Sequence, residues 1–125
     1  MRGFYEIAAN DPERPALLGD EGITYGRLLD RVNRASNGLT SRGVAPGDCV
    51  VTVLKNGADA LTMMLATYQI GAYLVPVNWH FTAEEIDYIV GDCGAKVVIA
   101  PDALTVDELV AGRPPPRPAT GGPDR

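Results

Sequence analysis

Apolar residues recur at helical spacing in several stretches of this chain, and short β-branched runs stand between them. Thr24 precedes Leu28, Val32, Ala35 and Leu39, which predicts an amphipathic helix capped by the Thr24 hydroxyl and closed by Gly43, with Arg27, Asp30, Arg31 and Arg34 on its other faces. Pro46-Gly47-Asp48 then turns the chain into residues 49–54, Cys-Val-Val-Thr-Val-Leu, a run of strand length and composition expected to be central in a sheet. A second helix follows, with Asn56 and Asp59 as alternative caps. Its Leu61, Met64, Leu65 and Tyr68 lie on one side and Met63, Ala66 and Ile70 elsewhere, so it needs cover on a second side. Gly71 ends it.

Residues 73–77 read as the next strand, where Pro76 cannot donate to a ladder and implies a strand end, a bulge or an edge. Thr82-Ala83-Glu84-Glu85 is a capping box that opens a third helix carrying Ile86, Ile89, Val90 and Cys93 inward, and Gly94 ends that helix. Residues 96–100 form a third short apolar run before Pro101. Strands separated by helices of this length pair in parallel, so the class is α/β, an incomplete open parallel sheet with a βαβαβ core.

Upstream, Phe4, Tyr5, Ile7 and Ala8 make a short amphipathic piece that breaks at Asp11-Pro12. Leu17-Leu18 and Ile23-Thr24-Tyr25 flank a glycine-bounded turn and read as a small hairpin. Downstream, residues 105–110 add a helical turn. Residues 113–125 are a Pro/Gly-rich linker or tail, leaving 1–112 as one partial α/β unit.

Residues 60–83 carry no formal charge, but Thr62, Thr67, Gln69, Gly71, Pro76 and Asn78 interrupt the run and its period changes, so a transmembrane segment is not expected. A net charge of -5 opposes binding to a phosphate backbone, so no nucleic-acid partner is expected either. Cys49 and Cys93 are far apart in sequence and no charged-then-apolar leader precedes them. They read as small buried hydrophobes in a reducing, cytoplasmic setting rather than as a disulfide framework.

The chemistry-bearing motifs are missing. Gly38 and Gly43 have the outer spacing of a phosphate loop but lack the following Lys-Ser/Thr, and no Gly-x-Gly-x-x-Gly occurs. With His80 the sole histidine and no serine elbow, neither a metal site nor a catalytic residue is assigned, and the pair Glu84-Glu85 is accounted for by capping. One place remains, because ligands of open α/β sheets bind beyond the carboxyl ends of the strands. Asn78, Trp79 and His80 sit there, either contacting a ligand or, for Trp79, plugging the end of the core while Asn78 bonds the turn.

Taken in order, Thr24-Tyr25, Leu28, Ala35, Leu39, Gly43-Val44, Gly47-Asp48-Cys49-Val50, Asn56, Leu65-Ala66, Gly71-Ala72, Val75-Pro76-Val77-Asn78, Thr82, Glu85, Tyr88-Ile89 and Gly94-Ala95-Lys96-Val97-Val98-Ile99 resemble the N-terminal part of the AMP-forming acyl-CoA synthetases, of the adenylate-forming ligase superfamily. The resemblance covers about residues 4–101. It implies an enzyme that joins a carboxylic acid to AMP from ATP, with Mg²⁺, and then transfers the acyl group to the thiol of coenzyme A. It also implies that the phosphate loop, acidic motif, hinge and catalytic lysine lie further on. Some relatives carry an arginine two places after the asparagine equivalent to Asn78, reaching coenzyme A phosphates. His80 stands there instead, a weaker anion partner.

The expectation is therefore an N-terminal scaffold segment of an acyl-CoA ligase acting on a fatty or other apolar acid, inactive alone, with the remainder of the ligase as its partner. ATP, Mg²⁺ and coenzyme A would belong to the complete enzyme. The alternatives are a stand-alone, non-catalytic α/β binding or regulatory module and, less favoured for want of a nucleophile or cofactor loop, a small hydrolase or reductase.

Overall fold

The computed structural model describes residues 2–16, 22–55, 57–101 and 103–112. The elements run α1 (Arg2–Asn10), α2 (Tyr25–Ser41), β1 (Cys49–Thr52), α3 (Ala58–Gln69), β2 (Tyr73–Pro76), α4 (Ala83–Cys93), β3 (Ala95–Ile99) and α5 (Val106–Val110). All three strands are parallel in the order β2-β1-β3, with the expected strand at the centre. The register sets Val51 against Val75 and Val98, and one extra residue in β3 shifts the pairing between Cys49 and Val50. Pro76 falls at the end of an edge strand, where its missing N–H breaks no ladder.

β1 and β2 are two residues and one residue shorter than their apolar runs, and β3 keeps the length of its run but begins one residue earlier, because pairing decides where a strand ends. The ladder geometry continues one rung past β1 and β2, where the Val53 amide donates to the Ile99 carbonyl and the Val77 amide to the Thr52 carbonyl.

The helix boundaries follow their local chemistry. The Thr24 hydroxyl accepts from the Arg27 amide at 3.3 Å, and Gly43 takes the positive φ of 87° that closes α2. Thr82 and Glu85 satisfy each other's backbone amides at 3.1 and 2.8 Å, and Gly94 ends α4 in the left-handed region. A second capping box, Thr105 with Glu108, opens α5. The cap of α3 departs from expectation: Gly57 occupies the N-cap without a side-chain bond, and Asp59 lies inside the first turn, paired at 2.8 Å with Arg31 of α2. Asn56, the first hairpin flank Leu17-Leu18 and most of the hairpin turn lie outside the described residues; the antiparallel bridge that Thr24 of the second flank makes is to Pro15, upstream of the predicted pairing.

Two apolar clusters enclose the sheet. The larger joins Leu28, Val32, Ala35 and Leu39 of α2 to Met63, Leu65 and Ala66 of α3, Val50 and Ile99 of the sheet, and Val106 and Leu109 of α5. The smaller, Val51, Val53, Val77 and Ala100, meets Ile86, Ile89, Val90 and Cys93 of α4 on the opposite face. The second side of cover that α3 requires comes largely from this chain itself. Met63 and Ala66 are fully buried and Leu65 nearly so, because α3 lies between α2 and the sheet and so has cover on two sides. Its buried threonines return their hydroxyls to carbonyls one turn back, Thr62 to Ala58 and Thr67 to Met63, which removes the cost of burying them. Uncovered apolar surface remains on α3 at Tyr68, 58% exposed, on edge strand β2 at Tyr73, 65% exposed, and on α4, with Tyr88 72% exposed and no residue fully buried.

Candidate functional site: the cleft beyond the strand ends

The segments leaving all three strands at their carboxyl ends frame an open cleft of about 810 Å³. Val53, Leu54 and Lys55 come from β1, Trp79 and Phe81 from β2, Ile86 from α4, and Ala100 and Pro101 from β3. A parallel sheet sends every strand's exit to one edge, so residues distant in sequence converge there. Lys55 and Asp59 are its charged residues, and Asp59 is engaged by Arg31.

The turn after β2 is built by Asn78, whose side-chain Oδ1 accepts from the His80 amide at 2.9 Å while its carbonyl accepts from the Phe81 amide at 3.0 Å. This fixes Trp79 and His80 side by side, their rings 3.8 Å apart and tilted by 31°. The Lys55 ammonium lies 4.5 Å from the centre of the Trp79 ring, a cation–π contact that restrains an otherwise loose side chain. Asn78 thus performs the turn-bonding role. Trp79 does not plug the core: it is 48% exposed, because Val77 and Ala100 already close that end of the smaller cluster.

All three residues singled out in the sequence are exposed, but of them only Trp79 lines the cleft; His80 stacks on Trp79 and Asn78 bonds the turn. Lys55 was missed. The signal was available, since it directly follows an apolar strand run, the same position rule that selected Asn78, Trp79 and His80. Among the described residues the lining combines the Lys55 ammonium, the Arg31-paired Asp59 carboxylate, the rings of Trp79 and Phe81, and aliphatic walls. Among the described residues, no nucleophile–base pair lines it, and no group of three His, Cys, Asp or Glu could hold a metal ion. Nor is any helix among the described residues long and apolar enough to cross a membrane.

At the other end of the sheet, the two cysteines lie together. Burial first, and the neighbouring Cys49 second, push the Cys93 thiol above its ordinary range. Both are half-buried rather than fully buried.

A parallel sheet layered with helices, with a cleft at its strand exits, defines the class as an α/β unit. The family follows from comparison: residues 4–120 match the model of the AMP-binding enzymes, and the chain belongs to that family. It is 34% identical over 99 residues to the long-chain-fatty-acid–CoA ligase FadD13 of Mycobacterium tuberculosis, covering 78% of this chain and 20% of that one. It is 41% identical over 97 residues to a feruloyl-CoA synthase of Amycolatopsis sp, covering 76% and 20%. Its fold superposes on the N-terminal subdomain of Klebsiella oxytoca NpsA, solved in complex with 3-hydroxybenzoyl-AMSN, with a TM-score of 0.76 and 26% identity over 93% of this chain and 32% of that one. The chain spans about a fifth of the length of these two curated relatives.

Proposed function

We propose that this chain is the N-terminal scaffold segment of an AMP-forming acid–thiol ligase, whose complete form converts a carboxylic acid, ATP and coenzyme A into an acyl-CoA, AMP and diphosphate. The observation that carries the reading is the family match over residues 4–120 in a chain that covers about one fifth of the two ligases it resembles. The sequence holds no Ser/Thr/Gly-rich loop ending in lysine, so ATP and Mg²⁺ are held by polypeptide outside it. The chain's own contribution is the sheet, the α2–α3 layer and the cleft. Exposed apolar residues on β2 and α4 support a scaffold role, since the remaining polypeptide would cover them. Fatty and aryl acids are both within the substrate class, given the names of the relatives.

Within that ligase, Asn78, Trp79 and His80 belong to the coenzyme A side, with Asn78 setting the turn. His80 is a poor replacement for an arginine there, and the Lys55 ammonium beside Trp79 supplies the cation that the turn itself lacks. The setting is the cytoplasm, where these substrates are used. A second reading, a stand-alone binding module, draws support from the enclosure of α3 by its own chain.

Two measurements separate the readings. The purified chain is expected to catalyse no acid-dependent ATP–pyrophosphate exchange, and measurable exchange would overturn the scaffold reading. It is also expected to self-associate through β2 and α4, whereas a monodisperse, cooperatively melting monomer would favour the module.

A further inference from the structure

Cys49 and Cys93 are far apart in sequence, yet the fold brings them to one place. Cys49 opens β1, and strand alternation sets it on the face that carries Val51 and Val53 of the smaller apolar cluster. Cys93 ends α4 and packs against that same cluster. The register pairs Cys49 with Ala95, and only Gly94 separates Ala95 from Cys93. The Cys93 thiol donates to the Val90 carbonyl at 3.9 Å, Cys49 is near enough to oppose its ionisation, and each cysteine remains partly open to solvent. This end of the sheet is opposite the cleft, so the pair is a separate feature of the molecule.

We propose that Cys49 and Cys93 form a dithiol that a low-molecular-weight disulfide oxidises to an intramolecular bond, fastening the start of β1 to the end of α4. The Cys49 thiolate attacks a sulfur of the small disulfide, forming a mixed disulfide and releasing one small thiolate. Cys93 then loses its proton and attacks the Cys49 sulfur, closing the protein disulfide and releasing the second small thiol. The protein gives up two electrons and two protons, and the small disulfide takes them as two thiols. Cys93 is the second to act because its apolar surroundings hold it protonated, and attack requires the thiolate. The new bond closes a loop containing α3, β2 and α4. Since α4 has no fully buried residue, it is the helix with most to gain from such a tether.

The test is incubation of the dilute, folded full chain with oxidised glutathione at mildly alkaline pH, followed by intact mass, free-thiol titration and peptide mapping. The proposal expects both thiols to disappear together, the mass to fall by two hydrogens, one Cys49–Cys93 linked peptide, and full reversal by a reductant. It further expects Cys93→Ser to trap glutathione on Cys49, which wild type does not accumulate. Lasting glutathione adducts on the native wild-type chain, disulfide-linked dimers, or reaction only in urea would each overturn it.

Discussion

Replacing one helical glycine by alanine should destabilise this protein and replacing another should stabilise it, and the packing of α5 decides which. Gly38 lies buried on α2, where a methyl group would stand 2.7 Å from both the Leu109 carbonyl oxygen and its Cδ1. Side-chain carbon could rotate away. The carbonyl cannot, because α5 is held by the Thr105–Glu108 capping box at one end and by Leu109 buried in the larger cluster.

Overpacking of this kind costs about 1–3 kcal/mol. The alanine's better helix propensity returns about 1 kcal/mol. The net expectation for Gly38→Ala is a loss of up to about 2 kcal/mol. Gly91 on α4 provides the control, since a methyl group there meets nothing within 4 Å and the backbone is ordinary helix. Gly91→Ala should therefore gain about 0.5–1 kcal/mol from propensity alone. Urea unfolding of both variants, followed by helix circular dichroism with a shared slope, measures the difference. A Gly38→Ala chain as stable as wild type would show that α5 yields freely, and the close α2–α5 contact would then not be a constraint.

Three further outcomes are expected. Thr82→Ala removes one half of the α4 capping box and should cost about 1 kcal/mol, read from the same unfolding curves, with amide exchange accelerated in the first turn of α4. A double-mutant cycle between Arg31→Met and Asp59→Asn should give a coupling of about 0.5–1 kcal/mol, because their contact is 2.8 Å but half exposed on the Asp59 side. The same cycle with Asp107, at 3.5 Å and 87% exposed, should give nothing measurable. Cys93 should alkylate more slowly than an unhindered thiol at mildly alkaline pH, because a raised pKa lowers its thiolate fraction. Cys49→Ser should move its rate profile toward lower pH by removing a neighbour that opposes ionisation, and an unmoved profile would leave burial as the sole cause.

The chain alone determined the elements and their order. Caps and glycines act within four or five residues, so Thr24, Thr82, Gly43, Gly71 and Gly94 marked helix ends before any tertiary contact was known. The alternation of strand and helix imposed parallel pairing, the β-branched composition of residues 49–54 marked β1 as the central strand, and the carboxyl-end rule located the turn at Asn78, Trp79 and His80. What needed the folded molecule was every relation between segments. Sequence periodicity reports how many faces of a helix are apolar but not which neighbour covers them, so only the folded chain shows that α2 and the sheet cover Met63, Leu65 and Ala66 of α3 while Tyr68, Tyr73 and Tyr88 stay exposed. Arg31 bonding Asp59, Lys55 resting on Trp79, and Cys49 meeting Cys93 all join residues from different elements. Such meetings are set by strand register and layer packing, which no local pattern encodes.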